Sequence, residues 1–328
     1  KDEVTQIYAA TFYHMEANTA AMLKQLDVSY EIADEEIVKR IKRIEKQTNI
    51  ELDEQQVCAV KEAVRNGLLI ITGGPGTGKT MIQKMIIYAE KHYNPHSEII
   101  LAAPTGRAAR RMSESTGFPA QTLHSLLGLT GDENYHGNLT EVTCDLLIVD
   151  ESSMVDISLA NYLFSAVSSK TKLVFVGDDK QLPSVGPGSV LRELISSNCV
   201  PVAALTQVFR QEKGSSIGYN AKFIIAGSTN MEEDESFSFV EVNGTKNIVE
   251  KVKELYPKYI DEFSVADVCV LSPFRRYNEH KEHTYSGVEN LNHELQKLIF
   301  NSDELSKSTF QVNDKVMYTK NANGLANG

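Results

Sequence analysis

Eight consecutive residues define the chemistry this chain can carry. Gly73-Gly74-Pro75-Gly76-Thr77-Gly78-Lys79-Thr80 follow an apolar run, Leu68 to Ile71, and lead into a helical pattern. Their spacing fits G-x-x-x-x-G-K-[ST]. Glycines let the backbone bend until successive N–H groups point inward at an anion. The N-terminal end of the following helix adds positive potential at the same place. Lys79 is then expected to reach the β- and γ-phosphates of a nucleotide as a point charge, and the Thr80 hydroxyl to ligate Mg²⁺. Gly74, Pro75, Gly76, Thr77, Gly78, Lys79 and Thr80 are the expected phosphate cradle, with ATP and Mg²⁺ as the cofactors.

A second stretch supplies carboxylates. In "LLIVDESS", Asp150 and Glu151 end an apolar strand pattern. Parallel packing is expected to bring that strand end beside the glycine loop. Asp150 suits the Mg²⁺ shell, and Glu151 suits a base that orients and deprotonates water for in-line attack on the γ-phosphorus. A "DE" pair after a strand is often plain solvated loop; the glycine loop nearby is what favours the chemical reading.

These groups need a scaffold that places loops side by side. "LLIIT", "EIILAAP", "DLLIVDE" and "KLVFVGD" are strand-sized apolar runs, and helical patterns such as "DEQQVCAVKEAVRN", "KTMIQKMIIYAEKH" and "GRAARRMSESTG" lie between them. Apolar strands alternating with helices imply a parallel sheet covered on both faces. Right-handed crossovers put all the strand C-termini on one edge, where ligands bind. Residues 1–50 read as two helices, the second from about Asp34 to Gln47 with Ile37, Ile41 and Ile44 on one face. Its lysines and arginines read as a solvated face. After "LTQVFRQ" the texture changes: an acidic loop, "GSTNMEEDESFSF", precedes a helix, "NIVEKVKELYPKYI", and a strand pattern, "DVCVLSPF", so a second α/β unit is expected to begin there.

Bulk properties narrow the class. The chain has 328 residues, enough for two domains, with 41% hydrophobic and 23% charged residues, ordinary for a globular protein. No apolar run approaches the roughly 20 residues that cross a bilayer, and the N-terminus lacks a signal-peptide pattern. It also lacks an initiating methionine, as expected of a piece of a longer protein. The net charge of −11 argues against holding nucleic acid by overall charge, while leaving room for a local basic groove. Cys58, Cys144, Cys199 and Cys269 form no C-x-x-C pair, so reduced thiols in a cytoplasmic protein are expected.

Four further stretches follow in order: "LAAPTGRAARRM", "TLHSLLG", "VGDDKQLPSVGPGSVLRELI" and "LTQVFRQ". With the two nucleotide motifs, they resemble the RecD-like branch of superfamily 1 DNA helicases, over roughly residues 50–320. The resemblance implies an α/β P-loop NTPase fold. A RecA-like parallel-sheet motor domain (50–206) would be followed by a partial second RecA-like domain (207–309). An N-terminal helical segment (1–49) and the start of an inserted small β-domain (310–328) would complete the chain. It also implies roles. Gln56 sits where relatives recognise adenine, with Gln55 as the neighbouring candidate; a carboxamide both donates to and accepts from an adenine edge. Gln181 would sense the γ-phosphate, with Asp178 supporting that region. Arg210 in "VFRQ" would be an arginine finger, whose planar, permanent charge suits a transferring phosphoryl group.

For DNA, the resemblance points to Pro104, Thr105 and Arg107 in "APTGR", where many relatives carry lysine in place of Arg107, and to Thr122 and His124 in "TLHSLLG". A basic residue and a hydroxyl suit backbone phosphates. Arg110 and Arg111 read as helix surface, and a packed core histidine is an alternative for His124. "SPFRR", with Phe274, Arg275 and Arg276, suits single-strand stacking, although a strand-end core Phe is commoner. The implied activity is ATP-dependent 5′-to-3′ translocation on single-stranded DNA and unwinding at duplex junctions, in DNA repair or recombination, with partner proteins of such a complex. Other readings are the helicase part of a conjugative relaxase, an RNA helicase, and a nucleotide-gated binding module or small-molecule kinase. The family's last motifs are not found, so the chain is expected to bind ATP–Mg²⁺ and hydrolyse it slowly.

Overall fold

The computed structural model describes residues 8–129, 139–207, 215–276, 278, 280–300, 310–312, 314 and 316. The chain divides into two compact units, Lys1–Gly214 with Ala322–Gly328, and Ser215–Asn321.

The first unit opens with helices α1 (Ala10–Leu26), α2 (Asp34–Thr48) and α3 (Glu54–Arg65). Strands and helices then alternate: β1 (Leu68–Gly73), α4 (Lys79–Tyr93), β2 (Ile99–Ala103), α5 (Gly106–Thr116), β3 (Ala120–Thr122) and α6 (Leu123–Leu126). After them come β4 (Leu146–Val149), α7 (Ile157–Ala166), β5 (Lys172–Gly177), α8 (Val190–Ser197) and β6 (Val202–Leu205). The six strands form one sheet in the order β3-β2-β4-β5-β1-β6, and every pairing is parallel. Burial on both faces explains why β1 reads as an unbroken apolar run.

Side chains alternate across the sheet. Leu68, Ile70, Leu147, Val149, Leu173 and Phe175 point into one core, which α1, α7 and α8 close with Leu23, Leu26, Leu163 and Leu191. Leu69, Ile71, Ile148, Val174 and Val176 point into the other, closed by α2, α3 and α4. Both N-terminal helices therefore finish the cores of this sheet. On α2, Ile37, Ile41 and Ile44 are buried as the spacing required. Part of its basic face is paired: Arg40 meets Glu36 and lies 4.6 Å over the Tyr93 ring. Asp34 at its start meets Lys61 and Arg65 of α3.

Phe175 on β5 is among the largest fully buried side chains and packs on Phe164, ring centroids 5.7 Å apart. Truncation leaves a cavity that a parallel sheet collapses around poorly. Phe175→Ala is expected to lower unfolding free energy by about 3–5 kcal/mol. Urea titration checks this, with the midpoint falling and the slope unchanged.

The acidic strand end comes beside the glycine loop as expected, both lining one cavity, with one strand between them. β4 does not lie next to β1, because β5 is hydrogen-bonded to both. Asp150 is therefore two strands away from the glycine loop, about 10 Å across the sheet. Strand order depends on long-range pairing that a local pattern does not carry.

The second unit holds α9 (Ser216–Ile225), α10 (Thr245–Glu262) and α11 (Val288–Phe300). The acidic segment 227–239 is irregular apart from an isolated bridge between Asp234 and Phe237. Residues 267–274, expected as a strand, have no ladder partner among the described residues and form none. An apolar run becomes a strand only when a neighbour takes its N–H and C=O groups. Most of the expected β unit at 310–328 lies outside the described residues.

No described helix is long and apolar enough to cross a membrane. The four cysteines are free thiols, three of them exposed; burial pushes the Cys144 thiol up to about 11.

Candidate nucleotide site

The glycine loop joins the C-terminal end of β1 to the first turn of α4. Gly76 and Gly78 have φ of 76° and 87°, in the left-handed region. Gly78 sits at the N-cap of α4 and offers no side-chain cap, unlike Asp53 on α3, Thr105 on α5 and Asp156 on α7. The first N–H groups of α4 are thus left for an anion. A Cβ at Gly78 would lie 2.7 Å from Gln56 Nε2, so a side chain here would displace that carboxamide as well as strain the backbone.

Lys79 folds back onto its own loop, donating to the carbonyls of Gly73 at 2.6 Å and Gly74 at 3.1 Å. The Thr77 hydroxyl donates to Gly74 O at 2.9 Å, tying the loop across its mouth. A cavity of about 440 Å³ opens over this loop. Its wall includes Gly74, Pro75, Gly76, Gly78, Lys79, Thr80, Asp150, Glu151 and Gln181. The structure thus brings together most of the residues assigned to phosphate chemistry, from the ends of β1, β4 and β5.

β4 ends at Val149, and the ladder continues as far as the Asp150 N–H, which donates to Ala102 O at 2.9 Å. Glu151 then turns into the left-handed region at φ 50°, its N–H bonded to Asp150 Oδ1 at 2.9 Å. That backbone costs a non-glycine residue about 1 kcal/mol, and it swings the second carboxylate out of the strand's alternation into the cavity. Burial pushes the Glu151 carboxyl above the usual carboxylate range, and the adjacent Asp150 adds to this. Lys79 and Arg111 pull it back, and Asp178 raises it further.

β5, between β1 and β4, carries the next group. Asp178 is 4% exposed and its Oδ1 accepts from Lys180 N at 3.0 Å. Gln181 N donates to Asp178 O at 3.2 Å, shaping the turn that sets Gln181 in the cavity wall. Asp179 accepts from the Thr72 hydroxyl at 2.6 Å, fastening the turn to β1.

The two glutamines of α3 are separated by the structure. Gln56 is 1% exposed. It completes a capping box with Asp53, accepting from Asp53 N at 3.1 Å, and its Nε2 donates to Thr77 O at 3.4 Å. It therefore backs the glycine loop. Gln55 turns away: its Nε2 donates to Thr206 Oγ1 at 2.8 Å, and its Oε1 accepts from Thr206 N at 2.8 Å.

The residues expected at DNA lie at the ends of the neighbouring strands β2 and β3, whose register pairs Ala103 with Thr122. Thr105 caps α5, accepting from Ala108 N at 3.2 Å, which leaves its own O–H to donate. Thr122 caps α6, accepting from Ser125 N at 3.1 Å. Pro104 is half-buried; Arg107 and His124 are exposed, so His124 is not a packed core residue. Arg210 lies outside the described residues. In the second unit, Phe274 is exposed and stacks edge-on against His283, 5.3 Å between centroids. Arg111, read as helix surface, is exposed and also lines the cavity. Its helical spacing from Ala108, Met112 and Ser115, which line it too, was the available signal.

A parallel sheet with a glycine loop after β1 and an acidic pair after β4 defines the class: a RecA-like P-loop α/β protein. The sequence profile of a family described as an AAA domain matches residues 56–187. The ATP-dependent RecD2 DNA helicase of Deinococcus radiodurans is 34% identical over 277 residues, 82% of this chain and 36% of that protein. The RecBCD enzyme subunit RecD of Mycolicibacterium smegmatis is 39% identical over 166 residues, 43% of this chain and 30% of its own length. The same subunit from Haemophilus influenzae is 34% identical over 201 residues, 54% of this chain and 31% of that one. This chain belongs to the RecD-like branch of superfamily 1 helicases. It spans about a third of the length of these relatives.

Proposed function

We propose that this protein is an ATP-driven motor that moves along single-stranded DNA and separates duplexes. One observation carries the reading: a single cavity at the carboxyl edge of the sheet unites Lys79, Thr80, Asp150, Glu151 and Gln181. On the same edge, adjacent strands present the capped threonines Thr105 and Thr122. A triphosphate in the cavity would take the free N–H groups of α4 and the ammonium of Lys79, once that lysine leaves Gly73 O and Gly74 O. Gln56 would meet the adenine edge from behind the loop.

Thr80 and Asp150 offer hard oxygen donors in one cavity, which fits Mg²⁺. Among the described residues no cluster of three or more His, Cys, Asp or Glu could hold a metal. That suits an ion held by one or two side chains together with phosphate and water. When bound, the ion neutralises charge on the β- and γ-phosphates. Glu151 takes the proton of the attacking water as its oxygen bonds to the γ-phosphorus. The bond to the β-phosphate oxygen breaks, giving ADP and inorganic phosphate. Gln181 registers the presence of the terminal phosphate, and Arg210 supplies the finger that stabilises charge on it.

Thr105, Thr122, Arg107 and His124 hold phosphates of the strand, with Pro104 fixing the turn. Movement 5′ to 3′, and work in cytoplasmic DNA repair or recombination, follow the resemblance to relatives. Two relatives named as RecBCD enzyme subunits support partner proteins in a complex. The test is ATP hydrolysis by the full-length protein alone, with single-stranded DNA and with single-stranded RNA, followed by strand separation from 5′-tailed and 3′-tailed duplexes. Stimulation of about tenfold or more by DNA, with separation from the 5′ tail, is expected. Hydrolysis indifferent to every nucleic acid would remove the motor and favour a nucleotide-gated module or a small-molecule kinase.

A further inference from the structure

We propose that Arg111 is a cationic contact to the terminal phosphate of the bound triphosphate, supplied by α5. This rests on the cavity being the nucleotide site.

Arg111 shares the cavity with Lys79, Glu151 and Gln181. Its guanidinium forms no hydrogen bond or ion pair with any described residue, whereas its neighbour Arg110 is paired with Glu114 at 2.9 Å on another side of the helix. Arg111 is exposed and lines the cavity, and its five N–H donors have no partner among the described residues. The charge balance calls for them. Asp150 and Glu151 already set two carboxylates against the single ammonium of Lys79, and a polyanion entering that space needs further positive charge close by. A planar guanidinium can hold two phosphate oxygens at once. The residues with which Arg111 shares the wall, Glu151 and Gln181, are those assigned to the γ end, so a diphosphate leaves Arg111 without its partner.

The placement on α5 gives the contact a second consequence. Thr105 caps this helix and Arg107 stands in its first turn, on the side assigned to DNA. Arg111 follows one turn later, about 6 Å along the axis. A rigid helix thus carries a phosphate contact of the nucleotide and a phosphate contact of the strand, and loss of the terminal phosphate is felt at both.

The test compares affinities of the full chain for a fluorescent, non-hydrolysable ATP analogue and for the matching ADP, with Mg²⁺ present. Arg111→Ala is expected to weaken the triphosphate analogue at least about tenfold and ADP by less than about twofold. Arg111→Lys should recover part of the loss, and Arg110→Ala should change neither affinity. An unchanged ratio of triphosphate to diphosphate affinity in Arg111→Ala overturns the assignment. Lys79→Ala separates the two levels of the claim. If it leaves both affinities intact, the nucleotide site itself is misplaced. If it weakens both while Arg111→Ala moves neither, the site stands and only the role of Arg111 falls.

Discussion

Replacing Glu151 with glutamine is expected to slow ATP hydrolysis by about 10²–10⁴-fold while leaving ATP–Mg²⁺ affinity within a few-fold. The carboxamide keeps the size and shape of the side chain, so the left-handed turn after β4 and the bond from Glu151 N to Asp150 Oδ1 survive. What disappears is the ability to accept a proton. Loss confined to turnover is the mark of a group that acts only in the transition state. Single-turnover hydrolysis, set beside equilibrium binding of the nucleotide, checks this. A variant that keeps more than a tenth of the parent rate would show that another group activates the water.

Lys79→Ala should behave differently. It removes an ammonium from the ground state as well as the transition state, so affinity and rate fall together. Binding is expected to weaken at least tenfold and hydrolysis to drop by about 10²–10³-fold. Lys79 bonds to Gly73 O and Gly74 O, so part of its energy goes into holding the loop itself. A thermal melt of the nucleotide-free variant gives that part, and titration gives the rest. Lys79→Arg is not expected to rescue, because a flat fork does not replace a compact point charge inside a narrow loop. Binding and turnover of Lys79→Ala within twofold of the parent would contradict the cradle.

Much of this site was legible because its signals are local. The glycine spacing, the apolar run ending in Asp150 and Glu151, and the turn at Asp178 to Gln181 each lie within ten residues. Their placement at strand ends needed only the alternation of strands and helices. What stayed hidden depends on pairing over long distances. Nothing in "KLVFVGD" says that it runs between the strand of the glycine loop and that of the acidic pair. Nothing in "DVCVLSPF" shows whether another strand will take its hydrogen bonds. Arg111 reads as solvated helix surface, which it is, and its place on the cavity wall shows only once α5 meets the loop. Gln55 and Gln56, adjacent in sequence, were separable only once the capping box with Asp53 and the bonds to Thr206 were seen.

That pair of glutamines carries a mechanical corollary. One props up the glycine loop from beneath, and the other grips the polypeptide as it departs from the sheet after β6. Because they occupy a single helical turn, tilting that turn by any amount displaces both ends in concert. The first turn of α3 is thus a yoke between the glycine loop and the backbone just past β6.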